Sequence, residues 1–272
     1  MKKLFLLFCA CISNISYAQP NHGAWGLYDY DLIEYQIVYN RSEIRSIASI
    51  TKLFTATTIL RQGLDLDKKV KVTGKSKGRF SRGAMVPRID LMKAMLISSD
   101  NLAAETLAHS YPGGYDMFIS DTNQWVMGMG LVHTKIVDAS GLDIDNVSTV
   151  DNLVAFLFKI KDNDIIQDIS NERTTTLKLP KGKKTVKINL RNTNPTLFQF
   201  DNIIISKTGF TNPAGRCVAM LVRKEDRLYA VIVLGQSSVK ERSQLANELI
   251  SKEPIRRESP VYQQTIEFAF PL

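Results

Sequence analysis

Disulfide and metal chemistry have little to work with in this chain of 272 residues, which holds three cysteines, two of them (Cys9 and Cys11) in its first twelve positions. Histidine is as scarce, at three: His22, His109 and His133. No His-x-x-Glu-His and no paired-cysteine pattern for zinc is present, and no Gly-x-Ser-x-Gly nucleophile elbow. His109 falls at an expected helix end and His133 in a loop, where histidine is more often bland than catalytic. No metal, nucleotide or other cofactor is expected. Long apolar runs are missing too. A membrane-spanning helix wants about 20 apolar residues, and no segment of the chain reaches that length.

The apolar run that does exist lies at the start. Lys2 and Lys3 precede Leu4 to Ile12, and Ser16 and Ala18 frame a cleavage site, the pattern of a secretory signal over residues 1–18. Neither Cys9 nor Cys11 sits in a convincing lipoprotein context, so export without a stable membrane anchor is expected. Cleavage after Ala18 leaves Cys217 as the single cysteine, which rules out an intramolecular disulfide even in an oxidising compartment. Cys217 is expected to be a small buried apolar residue. Losing Lys2 and Lys3 lowers the formal net charge from +8 to +6. That excess suits an anionic polymer such as a cell wall carrying free carboxylates. Nucleic acid fits less well, because the basic residues are dispersed rather than interleaved with stacking aromatics. A hydrophobic share of 44% is ample for a core, and roughly 250 mature residues allow one large domain or two intimately packed ones. The expected division is signal 1–18, catalytic domain 19–252 and tail 253–272.

Three short motifs carry the chemistry. Ser49-Ile50-Thr51-Lys52, Ser99-Asp100-Asn101 and Lys207-Thr208-Gly209 follow one another in the order of serine acyl-transferases built on Ser-x-x-Lys. A three-residue offset on a helix sets hydroxyl and amine side by side, so Ser49 is the candidate nucleophile and Lys52 its base. In the second motif a hydroxyl and an amide two residues apart both point into a cleft, giving Ser99 a role in proton relay and Asn101 one in holding a substrate amide. In the third, a cation and a hydroxyl beside a glycine let an edge strand lie against a bound peptide and grip its carboxylate, the task assigned to Lys207 and Thr208, with Gly209 allowing the approach. Each motif alone is weak. Ser237-Ser238-Val239-Lys240 also reads Ser-x-x-Lys, near an expected helix start. The second and third motifs occur once each, so their joint appearance in order is hard to assign to chance.

The remaining pattern supplies a scaffold. Trp25 to Tyr30 and Ile33 to Tyr39 read as a hairpin around Asp31-Leu32. Ile50 to Leu60 has helical spacing, with Ser49 at the helix start, where the positive terminus favours developing negative charge. Lys68 to Thr73 is a short strand and Gly74 to Pro87 a basic loop. Asp90 to Ile97 and Asn101 to Ala108 are helices with the second motif at their junction. Val150 to Ile160 is an amphipathic helix, and Thr174 to Leu179 with Thr185 to Leu190 form strands around a Lys181-Gly182 turn. Ile203 to Ser206 leads as a strand into Lys207. Val218 to Val222 and Leu228 to Leu234 make a hairpin, and Val239 to Ile250 a closing helix. Tyr111, Phe118, Trp125 and the Met127-Met129 pair are expected to pack in the core or a lid. Strands at both ends with helices between imply an α/β sandwich whose terminal segments share one antiparallel sheet.

With these motifs the chain resembles the D-alanyl-D-alanine peptidases, the low-molecular-mass penicillin-binding proteins. Ile47-Ala48-Ser49-Ile50-Thr51-Lys52 resembles their nucleophile segment and Lys207-Thr208-Gly209-Phe210-Thr211 their third motif. Ser98-Ser99-Asp100-Asn101, His109 to Tyr115, Arg191-Asn192-Thr193-Asn194 and Ala214-Gly215-Arg216-Cys217 are similar to the endopeptidase branch. The resemblance implies the penicillin-binding and β-lactamase-like transpeptidase fold. It also implies a periplasmic enzyme that cuts D-alanyl-diaminopimelate crosslinks between peptidoglycan stem peptides and is acylated by β-lactam antibiotics. The expected oxyanion donors are the backbone N–H of Ser49 and, by resemblance, that of Phe210. The motifs do not separate endopeptidase from carboxypeptidase, since both leaving groups carry a carboxylate beside the departing amine. Asn194 and Arg216 are open between cleft lining and ordinary loop and strand positions.

The mechanism makes one energetic demand. A free lysine titrates at about 10.4, and bringing Lys52 near 7, as a base must be, takes about 4 kcal/mol. Burial and the neighbouring cation Lys207 are expected to supply it. A class A β-lactamase shares all three motifs but needs a glutamate a few tens of residues past the second. None occurs between Glu105 and Glu172, so that reading ranks below peptidase. A wall-binding scaffold with a dead site would be expected to have lost Ser49, Lys52 or Lys207, and all three are present.

Overall fold

The two ends of the chain meet in one antiparallel sheet. The computed structural model describes residues 23–181 and 184–253; the expected signal, Gly182 of the expected turn and the tail beyond Glu253 lie outside the described residues. Strands β1 (Ala24–Asp29) and β2 (Glu34–Tyr39) form the first hairpin. Its turn is tied by the Asp29 carboxylate, which accepts the N–H groups of Asp31 and Leu32 at 3.0 and 3.1 Å. At the other end of the chain are β9 (Ile203–Thr211), β10 (Gly215–Lys224) and β11 (Arg227–Gln236). The sheet order is β2-β1-β11-β10-β9, with Trp25 opposite Val233 and Gly209 opposite Cys217. β9, the strand of the third motif, is therefore an edge.

The sheet is buried on both faces, which explains its nearly continuous apolar central strands. On β11, Ala230, Ile232 and Leu234 join the large core shared with the helices, while Tyr229, Val231 and Val233 join a second core. That second face is closed by α7 (Val239–Ser251) through Ala246, Leu249 and Ile250. Ser238 caps α7 by accepting the N–H of Glu241, so the decoy Ser-x-x-Lys serves a helix start and no chemistry. Cys217 is fully buried on β10, and burial pushes its thiol up to about 11.

Between the ends lies the helical part. A 3₁₀ turn, Ala48–Ile50, leads into α1 (Thr51–Arg61). α1 is buried from Thr51 to Ile59, all round rather than on one face as its spacing alone suggests. Its threonines fit there because Thr57 and Thr58 return their hydroxyls to the carbonyls of Leu53 and Phe54. The basic segment begins in β4 (Lys69–Lys71) and ends in β5 (Met85–Pro87), which pairs with it where the sequence suggests only loop. Helices α2 (Arg88–Ile97) and α3 (Asn101–His109) follow.

α4 (Gly114–Gly128) runs through a stretch where the sequence pattern predicts no element, entered by Gly113 at φ 80°. Phe118 is buried and Trp125 packs on Phe156 as expected, but Met127 is 74% exposed and outside the core. A short β6 (Val147–Ser148) pairs with β3 (Arg45–Ser46). α5 (Val150–Lys159) and a second unexpected helix, α6 (Asp164–Asn171), lead to the hairpin of β7 (Thr174–Lys181) and β8 (Lys184–Arg191). Among the described residues no helix is long and apolar enough to cross a membrane, and no cluster of three or more His, Cys, Asp or Glu side chains is placed to hold a metal.

Candidate active site

The three motifs converge from three kinds of element. Ser49 sits in the 3₁₀ turn before α1 and Lys52 in the first turn of that helix. Ser99 stands between α2 and α3, where Asp100 caps α3 by accepting the N–H of Ala103 at 2.8 Å. Asn101 begins α3, and Lys207, Thr208 and Gly209 ride on the edge strand β9. Two residues hold left-handed backbone beside the chemistry: Ala48 at φ 45° and Ser99 at φ 58°. Such conformations cost side-chain-bearing residues of order 1–2 kcal/mol each.

Lys52 is fully buried and makes three short contacts. Its Nζ lies 2.8 Å from Ser49 Oγ, 2.7 Å from Asn101 Oδ1 and 2.5 Å from the carbonyl oxygen of Ser140. Two of these partners, the amide oxygen and the carbonyl, only accept. A neutral amine has two N–H donors and one lone pair. Its donors are thus matched by Asn101 and Ser140, and the lone pair is left toward the hydroxyl of Ser49. Burial lowers the Lys52 pKa to about 7, against the opposing pull of Asp138, Asp100 and Glu105. Burial does most of the work, as expected from sequence, and the repulsion between the two buried amines shows in the lowered pKa of Lys207.

Ser140 was not legible in the motifs. It belongs to a loop organised by Asp138, whose carboxylate accepts the N–H groups of Ser140, Gly141 and Asp143 at 2.6 Å and the Asn146 side-chain amide at 2.9 Å. Burial opposes ionisation of Asp138, but the N–H groups outweigh it and hold the carboxyl below its usual range. The loop presses on the nucleophile turn: a Cβ on Gly141, at φ 79°, would fall 2.0 Å from the carbonyl oxygen of Ala48. The sequence signal was present in Asp138-Ala139-Ser140-Gly141, an aspartate able to cap its own turn before a glycine.

The third motif closes the other side. A Cβ on Gly209 would meet the Ser49 backbone N and the Ile47 carbonyl at 2.8 Å each, so glycine is what lets β9 lie against the nucleophile turn. Lys207 is 1% exposed, and its Nζ donates to Ser99 Oγ at 3.1 Å and to the Thr208 carbonyl at 2.8 Å. Burial first, then the charges of Lys52 and Arg242, lowers its pKa well below that of an ordinary lysine. Arg242, from α7, was missed by the motifs. It is 4% exposed, and burial lowers its pKa to about 10. Thr208 Oγ1 lies 2.6 Å from Thr193 Oγ1, linking β9 to the segment after β8.

Phe210 is 44% exposed, with the Arg216 guanidinium 3.4 Å from its ring centroid. Asn194 is buried, giving its amide hydrogen to Ser206 Oγ at 2.8 Å and accepting the N–H of Thr196. It is a structural residue and lines no cleft. His109 packs against Tyr115 at the end of α3, and His133 lies in a loop.

A family model described as D-alanyl-D-alanine carboxypeptidase matches residues 23–238. The chain is 35% identical over 227 residues to a D-alanyl-D-alanine endopeptidase of Escherichia coli (strain K12), covering 80% of this chain and 73% of that protein. Its fold matches the crystal structure of the Streptomyces K15 DD-transpeptidase with a TM-score of 0.78 at 22% identity, over 84% of this chain and 94% of the other. It also matches penicillin-binding protein D2 from Listeria monocytogenes in the cefotaxime-bound form, with a TM-score of 0.72 at 27% identity, over 84% and 95%. With its Ser-x-x-Lys, Ser-x-Asn and Lys-Thr-Gly residues gathered around one hydroxyl, the chain belongs to the D-alanyl-D-alanine carboxypeptidase family of serine-type D-Ala-D-Ala peptidases.

Proposed function

We propose that this peptidase is a periplasmic DD-endopeptidase that hydrolyses D-alanyl-meso-diaminopimelate crosslinks of peptidoglycan. The observation that carries the catalytic part is the Lys52 amine, buried, titrating at about 7 and held by two carbonyl acceptors with Ser49 Oγ at 2.8 Å.

Lys52 takes the Ser49 proton as Oγ attacks the D-alanyl carbonyl, forming a tetrahedral adduct. The oxyanion is held by the backbone N–H of Ser49 and, by analogy with the family pattern, that of Phe210. Collapse of the adduct breaks the C–N bond, and the departing amine receives a proton through Ser99, whose hydroxyl is held by Lys207. The acyl-enzyme ester on Ser49 is then hydrolysed by water, which releases the carboxylic acid and restores the serine. Asn101 fixes Lys52 through its oxygen and turns its amide nitrogen to the substrate. Lys207 and Thr208 attract the carboxylate beside the leaving amine. The endopeptidase assignment is supported by the similarity to the D-alanyl-D-alanine endopeptidase of Escherichia coli, and acylation by β-lactams by the similarity to the cefotaxime-bound Listeria protein. Export rests on the N-terminal pattern of Lys2, Lys3 and Leu4 to Ile12.

The test is to incubate the mature protein with purified crosslinked muropeptide dimers and, separately, with monomeric pentapeptides, following products by mass with Ser49→Ala as control. Monomers released from dimers support the endopeptidase. Loss of D-alanine alone makes it a carboxypeptidase. Labelled penicillin is expected to stay covalently on Ser49, and rapid turnover would point to a β-lactamase instead.

A further inference from the structure

From Lys68 to Arg88 the chain carries no acidic residue. Six of its cations here, Lys68, Lys69, Lys71, Lys75, Lys77 and Arg79, are exposed, and none forms an ion pair among the described residues. The segment is not a loose tail. Arg82 folds it by donating to the carbonyls of Gly74, Lys75 and Ser76 at 2.7–2.9 Å.

The start of α3 holds the folded loop through its backbone. Glu105 accepts the N–H groups of Lys75 and Ser76 at 2.6 and 3.1 Å and the Ser76 hydroxyl. Asp100 accepts the N–H of Arg79 at 2.6 Å. A Cβ on Gly78 would fall 2.4 Å from Leu102 Cβ, so the loop lies flat on the helix. The two α3 carboxylates are therefore used on main-chain N–H groups, and the cationic side chains of Lys75, Lys77 and Arg79 are left for solvent. Asp100 lies between Ser99 and Asn101, so this cationic surface borders the catalytic cleft itself.

We propose that the loop from Lys68 to Arg82 is a docking surface for a polymer bearing free carboxylates, holding a second strand of the peptidoglycan whose crosslink enters the cleft. This rests on the reading of the cleft given above. Adjacency favours that occupant over an anionic membrane: a crosslink joins two strands, and one of them must leave the cleft along its rim. Opposite charges at that rim raise local substrate concentration and association rate, and salt weakens both.

The experiment uses the mature Ser49→Ala protein, with and without the triple change Lys75→Gln, Lys77→Gln, Arg79→Gln, co-sedimented with purified peptidoglycan at low and high sodium chloride. The triple variant is expected to bind about tenfold more weakly at low salt, with a flatter salt dependence. The unaltered loop is expected to bind peptidoglycan whose carboxylates have been converted to amides just as weakly, a result independent of how the variant folds. In the Ser49 background, kcat on saturating soluble muropeptide dimers is expected to be the same with either loop. Equal sedimentation of the two proteins, no effect of amidation, or a loss confined to phosphatidylglycerol vesicles would overturn the proposal. Failure of the unaltered enzyme to cut dimers would refute the function and leave sedimentation to judge the loop.

Discussion

The hydroxyl of Ser99 accepts a hydrogen bond from Lys207 Nζ at 3.1 Å, and Ser99 makes that contact from a left-handed backbone at φ 58°. The hydroxyl thus stands on the third-motif side of the cleft, where the leaving amine departs. Ser99→Ala is expected to lower the acylation rate by about 100-fold or more, the usual scale for losing a general acid–base group. Stopped-flow acylation with a chromogenic β-lactam measures it. Ser99→Gly loses the same hydroxyl but relieves the backbone, and urea melts are expected to show it about 1 kcal/mol more stable than Ser99→Ala. Equal midpoints would show that the turn bears no strain.

A base that must be neutral to act gives a pH profile of definite sign. With Lys52 at about 7, acylation is expected to rise with pH through a midpoint near 7, because protonated Lys52 has no lone pair for the Ser49 proton. Asn101→Asp puts a carboxylate where Oδ1 now accepts from Lys52 at 2.7 Å. Opposite charge favours the ammonium form, so the midpoint is expected to move alkaline and kcat/KM at pH 7 to drop about tenfold or more. An unmoved midpoint would mean that another group limits the profile.

Most of this machinery could be read from sequence because its spacing is local. Ser49 and Lys52 need only one helical turn to meet, and the β-branched and apolar strands at both ends announce a shared sheet. What stayed hidden depends on contacts between distant segments. Ser140 offers Lys52 only a backbone carbonyl, which leaves no side-chain signature, and Arg242 reads as one more charge on an amphipathic helix until α7 buries it where its charge acts on Lys207. α4 is hidden in the sequence because glycines bound it at both ends and Met127, an apolar residue, faces water. Asn194 shows the converse: a polar residue beside the motif region that is spent on capping and on Ser206.

Function and stability are opposed at Lys52. Its folded pKa of about 7 lies below the unfolded value, so the unfolded chain binds more protons between about 7 and 10.5, and stability from this group rises with pH across that window. Below pH 7 the whole penalty is present. Lys52→Met removes it but strips the Asn101 oxygen and the Ser140 carbonyl of a donor, which costs about 1–3 kcal/mol for each group left unsatisfied. A net gain of about 1 kcal/mol is expected at pH 6, turning into a net loss by pH 10, where the charge penalty has gone and the two stripped acceptors remain, together with complete loss of acylation. Denaturant melts at the two pH values decide it; a variant less stable at pH 6 would show that the hydrogen bonds outweigh the buried charge.

Lys207 faces the same desolvation with no ion pair among the described residues, and the charges of Lys52 and Arg242 lower its pKa further. A ligand carboxylate changes that balance, since an opposite charge at contact favours the ammonium form and raises its pKa. Between the free and bound pKa values the complex holds more protons than its components, so binding is expected to take up protons from the buffer. The Ser49→Ala protein titrated calorimetrically with an uncleaved D-alanyl-D-alanine peptide, in buffers of different ionisation enthalpy, gives the number directly. The same peptide ending in an amide should show no uptake. Lys207→Arg should also show none, because a guanidinium stays protonated even when buried. Zero uptake with the acid peptide in the unaltered Lys207 protein would mean that the cation is charged before the carboxylate arrives, and the grip of the third motif would then be preformed.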